Sequence, residues 1–203
     1  MSDVLVRRAE SGDDLPAIAS CLYLTDPFIY PAAFGSDPQR AAQAITALMN
    51  LEGNLFHLAN LAVALQGDAI CGALLLNESG TRWDAGECAE AMSGIVPNIA
   101  AFARVSDAYF SAEAADPPLG TVELVACCVV PEFRNRGIGR MLLEWLIKEN
   151  GDSVIALDVL ADNAPAIALY KKCGFIPVRS FKGFALSEDA RPDCYRMERV
   201  PRF

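Results

Sequence analysis

Histidine is almost missing from this chain, with His57 alone among 203 residues. Seven cysteines are present but scattered, and no two stand in a Cys-x-x-Cys pair. Metal centres draw on clustered Cys and His, so no metal is expected. Buried free thiols in the reducing cytoplasm are the simpler use of the cysteines. Positive charge is also short, with 17 Lys and Arg against 26 Asp and Glu and a net charge of −9. That balance argues against a nucleic-acid partner, which calls for a basic face. Long apolar runs are lacking too. The longest candidate, AICGALLL at 69–76, is far too short to span a bilayer. The opening MSDVLVRRAE lacks the apolar stretch of a secretory signal. The expectation is a cytoplasmic protein with no membrane partner.

Apolar residues make up 53% of the chain, enough for a well-buried core in a single domain. A strand is expected at 3–8, then a helix with Leu15, Ile18 and Leu22 on one face. Ser11 and Asp14 suggest a capping box ahead of it. The segment TDPFIYPAAFG (25–35) reads as turns whose aromatics either line a cleft or pack over a core edge. Asp37-Pro38 opens a helix carrying Ile45, Leu48 and Met49 inward. Strands at 57–65 and 69–76 flank a Gln66-Gly67-Asp68 turn, with His57 at the first strand's edge as a structural or solvated residue. Residues 78–119 look like a helical insertion within the domain, with helices near 95–115 ended by Asp116-Pro117-Pro118. Its apolar helices leave room for a homodimer.

The stretch 121–143, TVELVACCVVPEFRNRGIGRMLL, is the most informative. It reads as an apolar strand, a turn made of Arg134, Arg136, Gly137, Ile138, Gly139 and Arg140, and the start of a helix. Glycines admit a ligand close to the backbone, and free N–H groups at a helix start attract phosphate. Glu144 and Lys148 stand i,i+4 along that helix. A strand at 153–160 follows, and Asn163 caps the next helix, with Pro165 in its first turn. Two strands, 175–186 and 193–200, close the chain. In the last, Cys194, Arg196 and Glu198 alternate with Tyr195, Met197 and Arg199.

Which phosphate the turn holds can be narrowed by spacing. A Walker loop needs Lys-Ser or Lys-Thr after its glycines, but Arg140-Met141 stands there. A dinucleotide fingerprint wants a third small residue where Leu142 sits, although Asp158 lies at a fitting distance for a ribose contact. The run Val129-x-Pro131-x-x-Arg134-x-x-Gly137-Ile138-Gly139-x-x-Leu142-Leu143 instead resembles motif A of the Gcn5-related N-acetyltransferase (GNAT) family. Leu157-Asp158-Val159, followed by Asn163-x-x-Ala166-x-x-x-Tyr170-x-x-x-Gly174-Phe175, resembles its motif B. The likeness is tight over about 121–178 and lapses over 78–119.

The resemblance implies an α/β fold with a mixed, mostly antiparallel central sheet flanked by helices, its central strands splayed. It implies acetyl-CoA as co-substrate, with its pyrophosphate wrapped by Arg134 through Arg140. Backbone groups at Cys127 and Val129, with Asn163, would hold the pantetheine arm. It further implies direct attack of an amine on the thioester, the acceptor being a small molecule or a protein amine. Tyr170 matches the family's general acid, or else packs against the cofactor without proton transfer. Glu123 matches the spacing of the catalytic glutamate in the histone-acetylating branch. It serves either as the base, its pKa raised in an apolar strand, or as a carboxylate in water or a salt bridge. Cys127 and Cys128 invite a nucleophile reading that direct transfer makes unnecessary. A CoA-binding sensor or scaffold without turnover is the alternative function.

Overall fold

The computed structural model describes residues 3–78, 85–96, 98–111, 120–183 and 191–201. Seven strands form one sheet: β1 (Val4–Arg8), β2 (Leu61–Gln66), β3 (Ala69–Asn77), β4 (Thr121–Val129), β5 (Val154–Leu160), β6 (Ile176–Lys182) and β7 (Asp193–Arg199). Their spatial order is β1-β2-β3-β4-β5-β7-β6, with every neighbouring pair antiparallel except β4 and β5. The helices are α1 (Leu15–Tyr23), α2 (Ile29–Phe34), α3 (Pro38–Met49), α4 (Ala85–Ala91), α5 (Ile99–Ser111), α6 (Ile138–Glu149) and α7 (Ala164–Lys172). Among the described residues no helix is long and apolar enough to cross a membrane.

Each face of the sheet carries its own core. On one face α1 to α5 pack over Leu61, Val63, Ala73, Leu75, Ala126 and Cys128. On the other, Ile138, Leu142, Leu143 and Leu146 of α6 cover Ala62, Leu74, Leu76, Leu124 and Leu157, and α7 packs alongside. Burying each of those α6 leucines is worth about 2 kcal/mol. Leu143 belongs to this buried stripe, whereas Met141 and Trp145 are only half-buried.

Side-chain caps start several helices. Asp14 accepts from the Ala17 N–H and Asp37 from those of Gln39 and Arg40, while prolines occupy the first turns. The expected capping box is therefore replaced by Asp14 acting alone as the cap. Residues 57–65 do not form one strand. His57 begins a 3-10 turn at Leu58–Asn60, and β2 starts only at Leu61. The 25–35 segment contains α2, which Asp26 helps to start by accepting from the Phe28 and Ile29 N–H groups. Two of its three aromatics, Tyr30 and Phe34, pack inward, with Phe34 5.6 Å from both Phe56 and Phe102, whereas Phe28 stays exposed. Within the 78–119 region, α4, the turn after it and α5 join the same core through Cys88, Met92 and Phe102 in that order. Asp116-Pro117-Pro118 lies outside the described residues, as does the end of the expected 175–186 strand.

Candidate functional site

Among the described strands the β4–β5 ladder is the only parallel one, and it is short. Pairing runs from Thr121↔Val154 to Leu124↔Leu157 and stops. Beyond it β4 continues to Val129 and β5 to Leu160, so the two strands part and leave a wedge between them. On its far side β4 stays paired with β3 up to Gly72↔Val129, across an irregularity at Leu75/Leu76. The Val130 N–H donates to the Cys71 carbonyl at 2.9 Å, toward β3. The Val129 carbonyl, on the same peptide, therefore points into the wedge. Strand alternation turns the Cys127 backbone groups the same way. The Val129 carbonyl already accepts from Arg134 Nε at 3.1 Å, so the strand end and the turn brace one another.

The turn after β4 delivers the chain to α6. Gly137 takes φ +82° at the helix's first boundary, a conformation that favours glycine. The first internal bond of α6 runs from the Met141 N–H to the Gly137 carbonyl at 3.0 Å. The Ile138, Gly139 and Arg140 N–H groups precede it, and no side chain caps this terminus. At Gly139 a Cβ would sit 3.1 Å from Leu169 of α7 and 3.6 Å from Val129, so the backbone lies close in. Arg136 rests over the Phe133 ring at 5.3 Å. Arg140 pairs with Glu144 at 2.7 Å, which takes Glu144 in place of the expected Lys148 partnership. This is an electropositive helix start with its donors open, fitting a pyrophosphate.

Across the wedge, the Asn163 side chain accepts from the Ala166 N–H at 3.2 Å and caps α7. Its amide N–H₂ group stays available to a ligand. Tyr170 is half-buried, its ring 5.8 Å from that of Phe175. Burial pushes its phenol above the usual tyrosine range, with the Cys127 and Cys173 thiols adding to the effect. The group stays protonated near neutrality, as an acid must. Burial also pushes the Cys127 thiol up to about 12, which leaves it a poor nucleophile.

Glu123 sits one residue before the ladder ends, on the sheet face away from α6 and α7. Its pKa is raised, chiefly by burial, and held back by Arg196. Its Oε1 accepts from Arg196 at 2.9 Å, and the same guanidinium bonds Asp158 at 3.1 Å. Thus Glu123 stands in a salt bridge, one of the two settings expected for it, while still lining the point where the strands part. Sequence reasoning missed Arg196, and it weighed Asp158 only as a ribose contact. The one signal was the alternation of β7, which puts Arg196 on the Cys194 side; its carboxylate partners follow only from the sheet register.

The family model described as the acetyltransferase (GNAT) family matches residues 53–175. This chain belongs to that family. The [ribosomal protein bS18]-alanine N-acetyltransferase of Salmonella typhimurium is 48% identical over 60 residues, covering 28% of this chain and 40% of that protein. The Escherichia coli protein of the same name is 37% identical over 82 residues, covering 39% of this chain and 55% of that one. An L-amino acid N-acetyltransferase of Escherichia coli is 40% identical over 77 residues, covering 36% and 48%. The chain thus spans about half the length of the curated relatives it matches. Among solved structures, an N-acetyltransferase from Staphylococcus aureus Mu50 matches with TM-score 0.66 at 16% identity over 96% of this chain and 99% of that one. The Escherichia coli ribosomal-protein-S18-alanine N-acetyltransferase matches with TM-score 0.57 at 20% identity, covering 99% and 96%. These two agree with the GNAT fold, with its mixed, mostly antiparallel sheet between helices.

Proposed function

We propose that this protein transfers the acetyl group of acetyl-CoA to a primary amine by direct attack. The observation that carries the reading is the wedge between β4 and β5, with the open α6 N-terminus at its mouth and Glu123 at its apex. Arg134, Arg136, Gly137, Ile138, Gly139 and Arg140 would hold the pyrophosphate. The backbone of Cys127 and Val129, with Asn163, would hold the pantetheine arm. From Val129 back to Glu123 the strand spans about 20 Å, room for an extended arm.

In this reading an acceptor ammonium gives one proton to Glu123, and its freed lone pair attacks the thioester carbonyl carbon. As the C–S bond breaks, Tyr170 donates its phenol proton to the leaving thiolate, and the phenol regains a proton from the new amide nitrogen. One proton leaves to solvent, and the products are the N-acetyl amide and CoA thiol. The relatives named for a ribosomal-protein alanine and for L-amino acids favour an amino-acid or protein amine as acceptor. A cytoplasmic setting fits the seven free thiols.

Thiol release from acetyl-CoA, followed across a panel of amino acids, free N-terminal peptides and simple amines, tests the proposal. Amine-dependent release is expected. CoA binding with no release for any amine would instead support a non-catalytic acyl-CoA sensor.

A further inference from the structure

One guanidinium joins two carboxylates at the point where β4 and β5 part. Arg196 is 7% exposed, and its two terminal nitrogens go to different strands, one to Glu123 of β4 and the other to Asp158 of β5. Glu123 precedes the last ladder pair, Leu124↔Leu157, and Asp158 follows it, so the cluster straddles the apex of the wedge. Arginine stays charged at any working pH, so the cluster carries one positive and two negative charges. Arg196 is buried, Glu123 half-buried and Asp158 exposed, so the excess negative charge of the three can meet one cation approaching from the wedge.

We propose that Arg196 is a positioning residue that locks Glu123 and Asp158 into a single acceptor site. This site takes the amine as its ammonium form, which brings the summed charge of these three groups to zero. The inference rests on the acetyltransferase reading above. Moving the ammonium proton onto a Glu123 oxygen breaks one N–H bond, forms one O–H bond and leaves the cluster's total charge unchanged. The step therefore avoids separating charge in a poorly solvated place.

The surrounding charges fit this assignment. Asp158 of β5 raises the Glu123 pKa, whereas Arg196 of β7 and the Asn77 side chain of β3 lower it. Asp158, raised chiefly by burial, is held down by Arg196 and by Arg179 of β6. From the turn after α1, Asp26 faces Cys194, the neighbour of the cluster on β7, as does Asp193.

The test compares wild type with Arg196→Gln, Arg196→Lys and Asp158→Asn. It measures kcat/KM for the acceptor against pH, CoA affinity, and the Glu123 carboxyl titration by ¹³C NMR. Arg196→Gln should lower acceptor kcat/KM on the order of a hundredfold and move the acidic limb to higher pH, with CoA affinity within twofold; Lys should restore about tenfold of the loss. Asp158→Asn should raise the acceptor KM about tenfold and move the limb the opposite way, to lower pH. The NMR titration should shift in the same two directions. A limb and a titration that stay in place in Arg196→Gln and Asp158→Asn would reduce Arg196 to a structural staple and overturn the proposal. A wild type inactive toward every amine would sink the acetyltransferase reading instead, and the NMR shifts would still judge the cluster.

Discussion

The two faces of the sheet at the wedge are built in opposite ways. On the α6 and α7 face, the ligand cradle comes from one continuous stretch, β4, the turn and the start of α6. Its donors are backbone N–H groups left open by the helix start. On the other face the charged cluster is assembled across the fold, with Arg196 lying 73 residues from Glu123 and 38 from Asp158. In the proposed reading the first face would hold the ligand mainly through groups that every residue carries, with Tyr170 of α7 as its acid, and needs the right backbone shape. The second would supply the base through side chains, and needs the right sheet register. Binding and chemistry should therefore be separable by mutation.

Glu123→Gln should cut deepest. It removes the proposed base and leaves the cradle alone, so kcat should fall about 1,000-fold while CoA affinity stays within twofold. Because burial raises the Glu123 pKa, the wild-type acidic limb should lie above the ordinary carboxylate range. The ionised carboxylate is the working form, so activity is lost as pH falls through that limb, and the limb should vanish in the variant. An unchanged pH–rate profile would leave Glu123 as a salt-bridge partner only. Tyr170→Phe should come next, lowering kcat about a hundredfold with little change in CoA affinity. Retained turnover would make Tyr170 a packing residue beside Phe175.

The contrast also explains what was legible. The cradle could be read because glycine spacing and strand–turn–helix order are local, and Gly137 and Gly139 stand where their conformation and close packing require them. The wedge itself followed from the resemblance rather than from any periodicity. Arg196 went unread because nothing near it in sequence demands an ion pair; only the Asp158↔Arg196 register brings it under the apex. The α2 helix was hidden by Pro27, Pro31 and Gly35, residues that punctuate chains as turns. There the packing of Tyr30 and Phe34 against Phe56 overrode the local signal. The cluster is thus the part of the site that long-range pairing decides.

Gly139→Val should produce the converse of Glu123→Gln. Its Cβ would already press on Leu169 at 3.1 Å, and the added methyls would push α6 away from Val129 and α7. The CoA Kd should rise about tenfold, with kcat at saturation within threefold of wild type. Equal losses in both would mean that the two faces are mechanically coupled.

Asn163→Ala gives the smallest effect and the finest discrimination. The side chain has one observed use, its oxygen capping α7, and one proposed, its N–H₂ group donating to the pantetheine arm. Losing the cap alone should cost about 1 kcal/mol of stability, read as a lower Tm with CoA affinity unchanged. Losing a ligand contact as well should raise the CoA Kd a further few-fold, with no displacement of the acidic limb. Asn163→Asp separates the two uses, since a carboxylate still caps the helix but cannot donate. Restored Tm with weakened CoA binding is expected. Restoration of both would leave Asn163 a cap alone, and the ligand face of the wedge would then be held by backbone donors without side-chain help.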